Sequence, residues 1–592
     1  MNENGWMQVA AVEEIEPGQA KAVRLGGEGR SVALFNEGGR IYATDNQCPH
    51  MGYPLTRGVV RNGVVTCDWH GRRFDLEGGG CFNNMCDDLA VFPVEIRGGQ
   101  VWIQVEEKGY RRREVHLELL REGLLHGDRW TISKALALLS RGGVPREEVV
   151  AVVLRHFGRR VASSGGDEAG TDLGRLVGGL AVADRYDGAD QLACLATAAT
   201  AASGEAASRL RVVPLPEPVT QERLEDWVRV FSRNGQANRI ERCLFTTRSR
   251  GDTERVLPLL FECAVQPGFL GFGGNLVTLS CLADVVDRFG WEASSELVLN
   301  LGSRTVGQGR GEPELFRRDA IRKMRDLSGV IDQAAESPGQ GLEFDEDALA
   351  ADLLSGDLDR SFDSLARTLQ AGVSLQRLIT TFLLVAADRM ARTPVNVDAG
   401  WSCLTLELEL ARSLRTALRI GGPRVAAMGL FHAAWHLFAD RWLNIPARPL
   451  SEPPEVAPLT AAPAEGIEEV ARAVQTLDVH AAGESAAGYL AAGLDADLLL
   501  QRLGVLILWN DTGARLLPTL YAVADEFDGT RGPDAALGAG HPSADQLVAG
   551  LARYATDVRT SKASGAATTT ALRFAEGLTT IDVFADEEPA QP

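Results

Sequence analysis

Basic side chains are in deficit. The 592 residues carry 60 Lys and Arg against 80 Asp and Glu, a formal charge of −20. A chain this acidic is not built to neutralise a phosphate backbone, which needs clustered cations to displace counterions, so no nucleic-acid partner is expected. Cysteine is sparse, nine in the whole length: too few for a disulfide scaffold and suited to a reducing compartment. Met1 to Gln8 hold neither the basic nor the apolar run of a secretory signal. Long uncharged runs are also scarce. Cys263 to Ala283 has no formal charge and is long enough to raise the question of a membrane span. It is broken by Gln266, Pro267, Gly268, Gly271, Gly273, Gly274 and Asn275, and backbone groups freed by such breaks find no partners in lipid. A buried loop and helix is expected there, with no membrane span and a cytoplasmic location for the protein.

What is present is ample apolar material, 45% of residues, in a length that gives roughly four domain-sized units at ~150 residues each. The first hundred residues have the texture of strands. Short runs such as Val32-Ala-Leu-Phe35, Ile41-Tyr-Ala43, Val64-Val-Thr66 and Val101-Trp-Ile-Gln-Val105 are split by Gly38-Gly39, Asn62-Gly63 and Gly98-Gly99. Paired turn residues between strand-length apolar runs are what hairpins look like in sequence. From about Gly109 the period becomes helical. Val149, Val150, Val153 and Leu154 form one stripe after Pro145-Arg-Glu-Glu148, a helix start.

The expected fold class is therefore multidomain, an N-terminal all-β domain followed by a large all-α region in an irregular helical array. The expected divisions are 1–107 for the β domain, 108–450 helical, 451–466 a Pro/Ala-rich linker or loop, 467–582 helical, and 583–592 a disordered acidic tail. Four segments read as helix, Gly, helix, turning at Gly143, Gly235, Gly372 and Gly493, each where a helix C-terminus calls for a left-handed residue. They are either a weak internal repeat or ordinary helix hairpins.

Four residues carry recognisable chemistry. Cys48-Pro-His50 and Cys67-Asp-Trp-His70 give C-x-H, a gap, then C-x-x-H, with Gly71 following. Two thiolates and two imidazoles on two loops suit a soft or borderline metal. One occupant is a structural zinc held by all four; the other is a Rieske [2Fe–2S] cluster, with two Cys on one iron and two His on the second.

From Met7 to about Glu107 the chain resembles the Rieske ferredoxin family, through Asp45-Asn-Gln-Cys-Pro-His-Met-Gly52, Pro54-Leu55, Gly58 and Cys67-Asp-Trp-His-Gly-Arg-Arg-Phe-Asp75. The resemblance implies a [2Fe–2S] cofactor, with Cys48 and Cys67 on one iron and His50 and His70 on the outer iron. Members from respiratory complexes carry a second, disulfide-linked Cys in each cluster loop. Tyr53 and Trp69 stand at those positions here, so no such clamp forms. Their Ser and Tyr hydroxyls near the cluster sulfurs correspond to Arg72 and Phe74. Hydrogen bonds to cluster sulfur favour the reduced state, so a potential in the lower part of the roughly −150 to +300 mV span is expected. Cys81 and Cys86 are expected to be two free thiols in a loop, because neither flanks a basic group.

Such a cluster relays single electrons, which need a destination in or beyond the helical region. It lacks the D-x-x-H-x₄-H motif of Rieske oxygenases, a phosphate loop after Gly268–Gly274, a G-x-S-x-G elbow and an H-E-x-x-H motif. His432, His436 and Asp440 fall at i, i+4 and i+8, one helical face and a two-His-one-carboxylate arrangement. Alternatively Phe431, Trp435, Phe438 and Trp442 are a core stripe that the histidines border, with His436 in an ordinary i, i+4 contact to Asp440. The stretches Gly273-Gly-Asn-Leu276 to Phe289-Gly-Trp291 and Phe431-His432 to Asn444-Ile-Pro446 resemble bacterial proteins in which a Rieske domain is fused to a long helical region. The expected function is one-electron transfer within an oxidoreductase, fed by an external reductase because no flavin or nicotinamide fingerprint is present. Its electrons would go to an acceptor protein or a small-molecule substrate. The competing expectation is a non-enzymatic helical scaffold with a redox-sensing or structural cluster.

Overall fold

The computed structural model describes residues 6–579 except 26–29, 84–85, 105–112, 163–165, 206–211, 271–272, 309–314, 337–342, 395–397, 453–454, 510, 513–514, 532–540 and 562. The acidic tail expected at 583–592 lies outside them. Two compact units are present. The first comprises Met1–Leu120, Arg129–Arg146 and Ala566–Pro592; the second comprises Arg121–Asp128 and Glu147–Gly565.

The first unit is built on ten strands: β1 (Trp6–Ala11), β2 (Ala20–Leu25), β3 (Arg30–Glu37), β4 (Arg40–Asp45), β5 (Val59–Arg61), β6 (Val64–Thr66), β7 (Arg73–Asp75), β8 (Val91–Phe92), β9 (Val94–Arg97) and β10 (Gln100–Gln104). They pair antiparallel in three sheets, β1-β10-β9, β2-β3-β4-β8 and β5-β6-β7. The expected hairpins are present. Gly38-Gly39, Asn62-Gly63 and Gly98-Gly99 all have positive φ, the backbone that lets a two-residue turn follow the twist of its strands. Strand alternation puts β3 in two cores at once. Val32 and Leu34 pack with Ile41, Val101 and Ile103, while Ala33 and Phe35 face Leu55, Val65, Phe74 and the thiols of Cys48 and Cys67.

Three helices follow, α1 (Arg113–His126), α2 (Arg129–Arg141) and α3 (Arg146–Val161). Helix α2 belongs to the first unit and buries Ile132, Ala135, Leu136 and Leu139. Helix α3 begins directly after Pro145 and buries the predicted stripe Val149, Val150, Val153 and Leu154. The second unit is helical, apart from a two-stranded ribbon of Asp511–Thr512 with Arg559–Ser561. All four Gly turns have positive φ, at Gly143, Gly235, Gly372 and Gly493, and the helices flanking Gly235, Gln221–Arg233 and Ala237–Arg250, pack together as a hairpin. The uncharged run 263–283 takes up the end of the helix Val256–Ala264, a short turn at Pro267–Phe269 and the start of the helix Gly274–Gly307. No described helix is long and apolar enough to cross a membrane.

Candidate metal centre

Two loops present the predicted donors, and they are built alike. After β4, the Cys48 N–H donates to the Tyr53 carbonyl and the Gly52 N–H returns to the Cys48 carbonyl, at 2.9 and 2.7 Å. After β6, the Cys67 N–H donates to the Arg72 carbonyl and the Gly71 N–H to the Cys67 carbonyl, at 2.8 and 2.9 Å. Both closures need a left-handed residue four positions after the cysteine, and Gly52 (φ 78) and Gly71 (φ 66) supply it. Asn46 ties the first loop down from within the core. Its amide donates to Ser31 Oγ at 2.9 Å and its carbonyl oxygen accepts from the Thr56 N–H at 2.9 Å.

These folds bring like donors together. Cys48 and Cys67 are both buried, and the Cys48 thiol donates to the Cys67 sulfur. That bond, with burial, pushes the Cys48 pKa well above the thiol range. The same bond lowers Cys67 to about 6 against the effect of burial, helped by the amides of Trp69 and His70. The thiolate is the form of cysteine that ligates metal. The His50 and His70 rings lie edge to face with centroids 4.8 Å apart, His50 half-buried and His70 exposed. Trp69 stacks on His70 at 4.3 Å and lies 5.7 Å from Tyr53. An aromatic pair thus joins the loops at the two positions where respiratory members are expected to carry a disulfide.

The donor set suits a two-metal group with one sulfur-ligated and one nitrogen-ligated ion. Among the described residues, no three His, Cys, Asp or Glu side chains are placed to hold a single ion.

The site also has a surround that no local pattern announces. Trp130 Nε1, on α2, donates to the His50 carbonyl at 2.9 Å. Lys134, one turn further on, donates to the Pro49 carbonyl at 2.8 Å and to Asp87 Oδ2 at 2.8 Å. The Phe574 ring lies 4.5 Å from the Lys134 ammonium and 6.3 Å from Trp130, and Gln47 donates to the Leu578 carbonyl at 2.8 Å. Cys81 and Cys86 are not in a disulfide and contact each other. No basic residue flanks either in the chain, but the fold brings Lys134 close to Cys86. Burial still dominates and pushes the Cys86 thiol up to about 12.

In the second unit, His432, His436 and Asp440 do not converge. His432 Nε2 is 3.0 Å from the Val265 carbonyl, while His436 Nδ1 is 3.5 Å from Asp440 Oδ2. Asp440 stands just past the end of the helix Pro423–Ala439. The predicted stripe also shifts. Phe431 and Trp435 are buried, but Trp442 is 58% exposed. The histidines, expected to border the stripe, are themselves buried. Burial holds His436 neutral, with its pKa lowered to about 3.

Known proteins match the first unit. The family model for the Rieske [2Fe-2S] domain covers residues 5–93. Ferredoxin CarAc of Metapseudomonas resinovorans is 31% identical over 104 residues, 17% of this chain and 96% of that protein. The ferredoxin component of the alkene monooxygenase system of Xanthobacter autotrophicus is 34% identical over 104 residues, 17% of this chain and 82% of that protein. Apoptosis-inducing factor 3 of Mus musculus is 36% identical over 115 residues, 19% of this chain; the chain spans only 17% of that relative's length. Through this domain the chain belongs to the Rieske iron–sulfur family. The domain binds a [2Fe–2S] cluster, and its chemistry is electron transfer.

Proposed function

We propose that Cys48 and Cys67 hold one iron of the cluster and His50 and His70 the other. The domain passes single electrons from an external reductase to an acceptor, as part of an oxidoreductase whose helical region houses or docks the substrate-transforming site. The observation that carries this reading is the pair of matched loops, which sets two buried sulfurs side by side and two imidazoles side by side. Bound there, the cluster supplies a one-electron redox couple. The chain's residues do the rest. The loop amides and burial hold sulfur ligands away from water, and the Tyr53–Trp69 pair ties the loops together. Exposed His70, with Trp69 stacked on it and 47% exposed, offers partners a surface route to the centre. The reading is further supported by the matched relatives, which include a ferredoxin component of a monooxygenase system.

Metal analysis of anaerobically purified protein tests it. Two irons and two sulfides per chain are expected, with a low-temperature paramagnetic signal after dithionite, and Cys48→Ser and Cys67→Ser should each lose both irons. Colourless, signal-free protein would overturn the assignment. Iron beyond two per chain that vanishes in a His432→Ala/His436→Ala double variant would assign a second centre to the helical region.

A further inference from the structure

We propose that Lys134, carried on a helix outside the β domain, tunes the metal centre: its buried ammonium stabilises the reduced state of the group held by the Cys48–His50 loop. The proposal rests on the ligand assignment above and concerns a residue that lies outside the matched family segment of 5–93.

The geometry is specific. The Lys134 side chain is 6% exposed, and its ammonium donates to the carbonyl of Pro49, the residue between Cys48 and His50. Lysine is rarely buried without full pairing, because desolvating an ammonium is costly. The carboxylate opposite it, Asp87, is 48% exposed. Water therefore screens the anion more than the cation on the shielded side, and the two cancel only in part at the centre. The Phe574 face on another side adds a cation–π contact but no negative charge.

Reduction adds one electron from a one-electron donor, such as a flavin or iron–sulfur reductase, and makes the centre one unit more negative. No bond forms or breaks in Lys134 and no proton moves, so its positive charge favours the reduced form and raises the potential. A residue that merely straps the helix to the loop would act through its hydrogen bond, as neutral Trp130 does at the His50 carbonyl.

Anaerobic redox titration of the full chain, followed by paramagnetic resonance against one-electron mediators, separates the two roles. In Lys134→Gln the equilibrium with the mediator should move at least tenfold toward the oxidised centre, about 59 mV lower for one electron. Lys134→Arg should stay near wild type, and Trp130→Phe should move less than threefold. Asp87→Asn, which leaves the lysine less compensated, should move the potential the other way, and it reads the same effect should Lys134→Gln fail to retain iron. An intact two-iron centre whose potential stays within threefold of wild type in both Lys134→Gln and Asp87→Asn overturns this proposal alone. So does a Lys134→Arg variant that falls as far as Lys134→Gln. Wild-type protein without iron and sulfide would overturn the ligand assignment itself.

Discussion

Single residues at the proposed cluster site act through their immediate chemistry, and that is why a sequence can suggest them. Cys48, His50, Cys67 and His70 stand out because each pair must sit within a short loop and because Gly52 and Gly71 close those loops the same way. Lys134 was not readable: it is 85 residues from the carbonyl it bonds, and a lysine on a helix looks like any solvated one. The buried histidine of the second unit carries a prediction at this scale. Burial, reinforced by Arg389 and Arg515, lowers His436 to about 3. Between that value and the ordinary ~6.5, the unfolded chain binds a proton that the folded one refuses, so stability rises with pH across the window and is lost as pH falls through it. Thermal melts of His436→Gln from pH 4 to 6.5 should lose acid sensitivity relative to wild type, by up to about 1.4 kcal/mol per pH unit. Curves parallel to wild type would contradict this.

At the scale of elements, turns were legible and neighbours were not. The three strand hairpins and the four glycine turns between helices each announce themselves with a residue suited to positive φ. Which surfaces those elements meet depends on side chains far along the chain, and the ribbon joining Asp511–Thr512 to Arg559–Ser561 left no local trace. Gly58, part of the motif, shows why an element can demand one residue type. A Cβ added there would lie 2.4 Å from the Thr66 carbonyl oxygen, on the strand leading into Cys67, and 3.1 Å from that of Leu55. Gly58→Ala should therefore push the first cluster loop off β6, at a cost of about 1–3 kcal/mol. A lowered melting temperature and faster loss of iron to a chelator should report it; wild-type values of both would show that the backbone gives way freely.

For the molecule as a whole, the surplus of acid leaves the second unit with buried cations matched to carboxylates. Arg389 pairs with Glu407 and Arg412 with Asp284 at 3.0 Å, while half-buried Arg415 reaches the buried Glu526 at 2.7 Å. Removing one partner of a buried pair is far more damaging than its net contribution suggests. The first unit depends instead on a group that binds its folded form and gains stability by mass action. Calorimetry before and after stripping iron should show one transition lowered and the remaining heat absorption in place. A uniform shift of the entire profile would argue that the metal supports both units.

Composition, turn residues and two short motifs sufficed to determine an all-β domain of the Rieske family and a helical remainder, because each of those signals is local in the chain. Tertiary structure alone decided that α2 and the segment around Phe574 enclose the first cluster loop, that Lys134 is buried beside it, and that His432 and His436 turn to different partners. Those outcomes depend on which surfaces meet after the chain collapses, where burial alters what a charge or an imidazole can do.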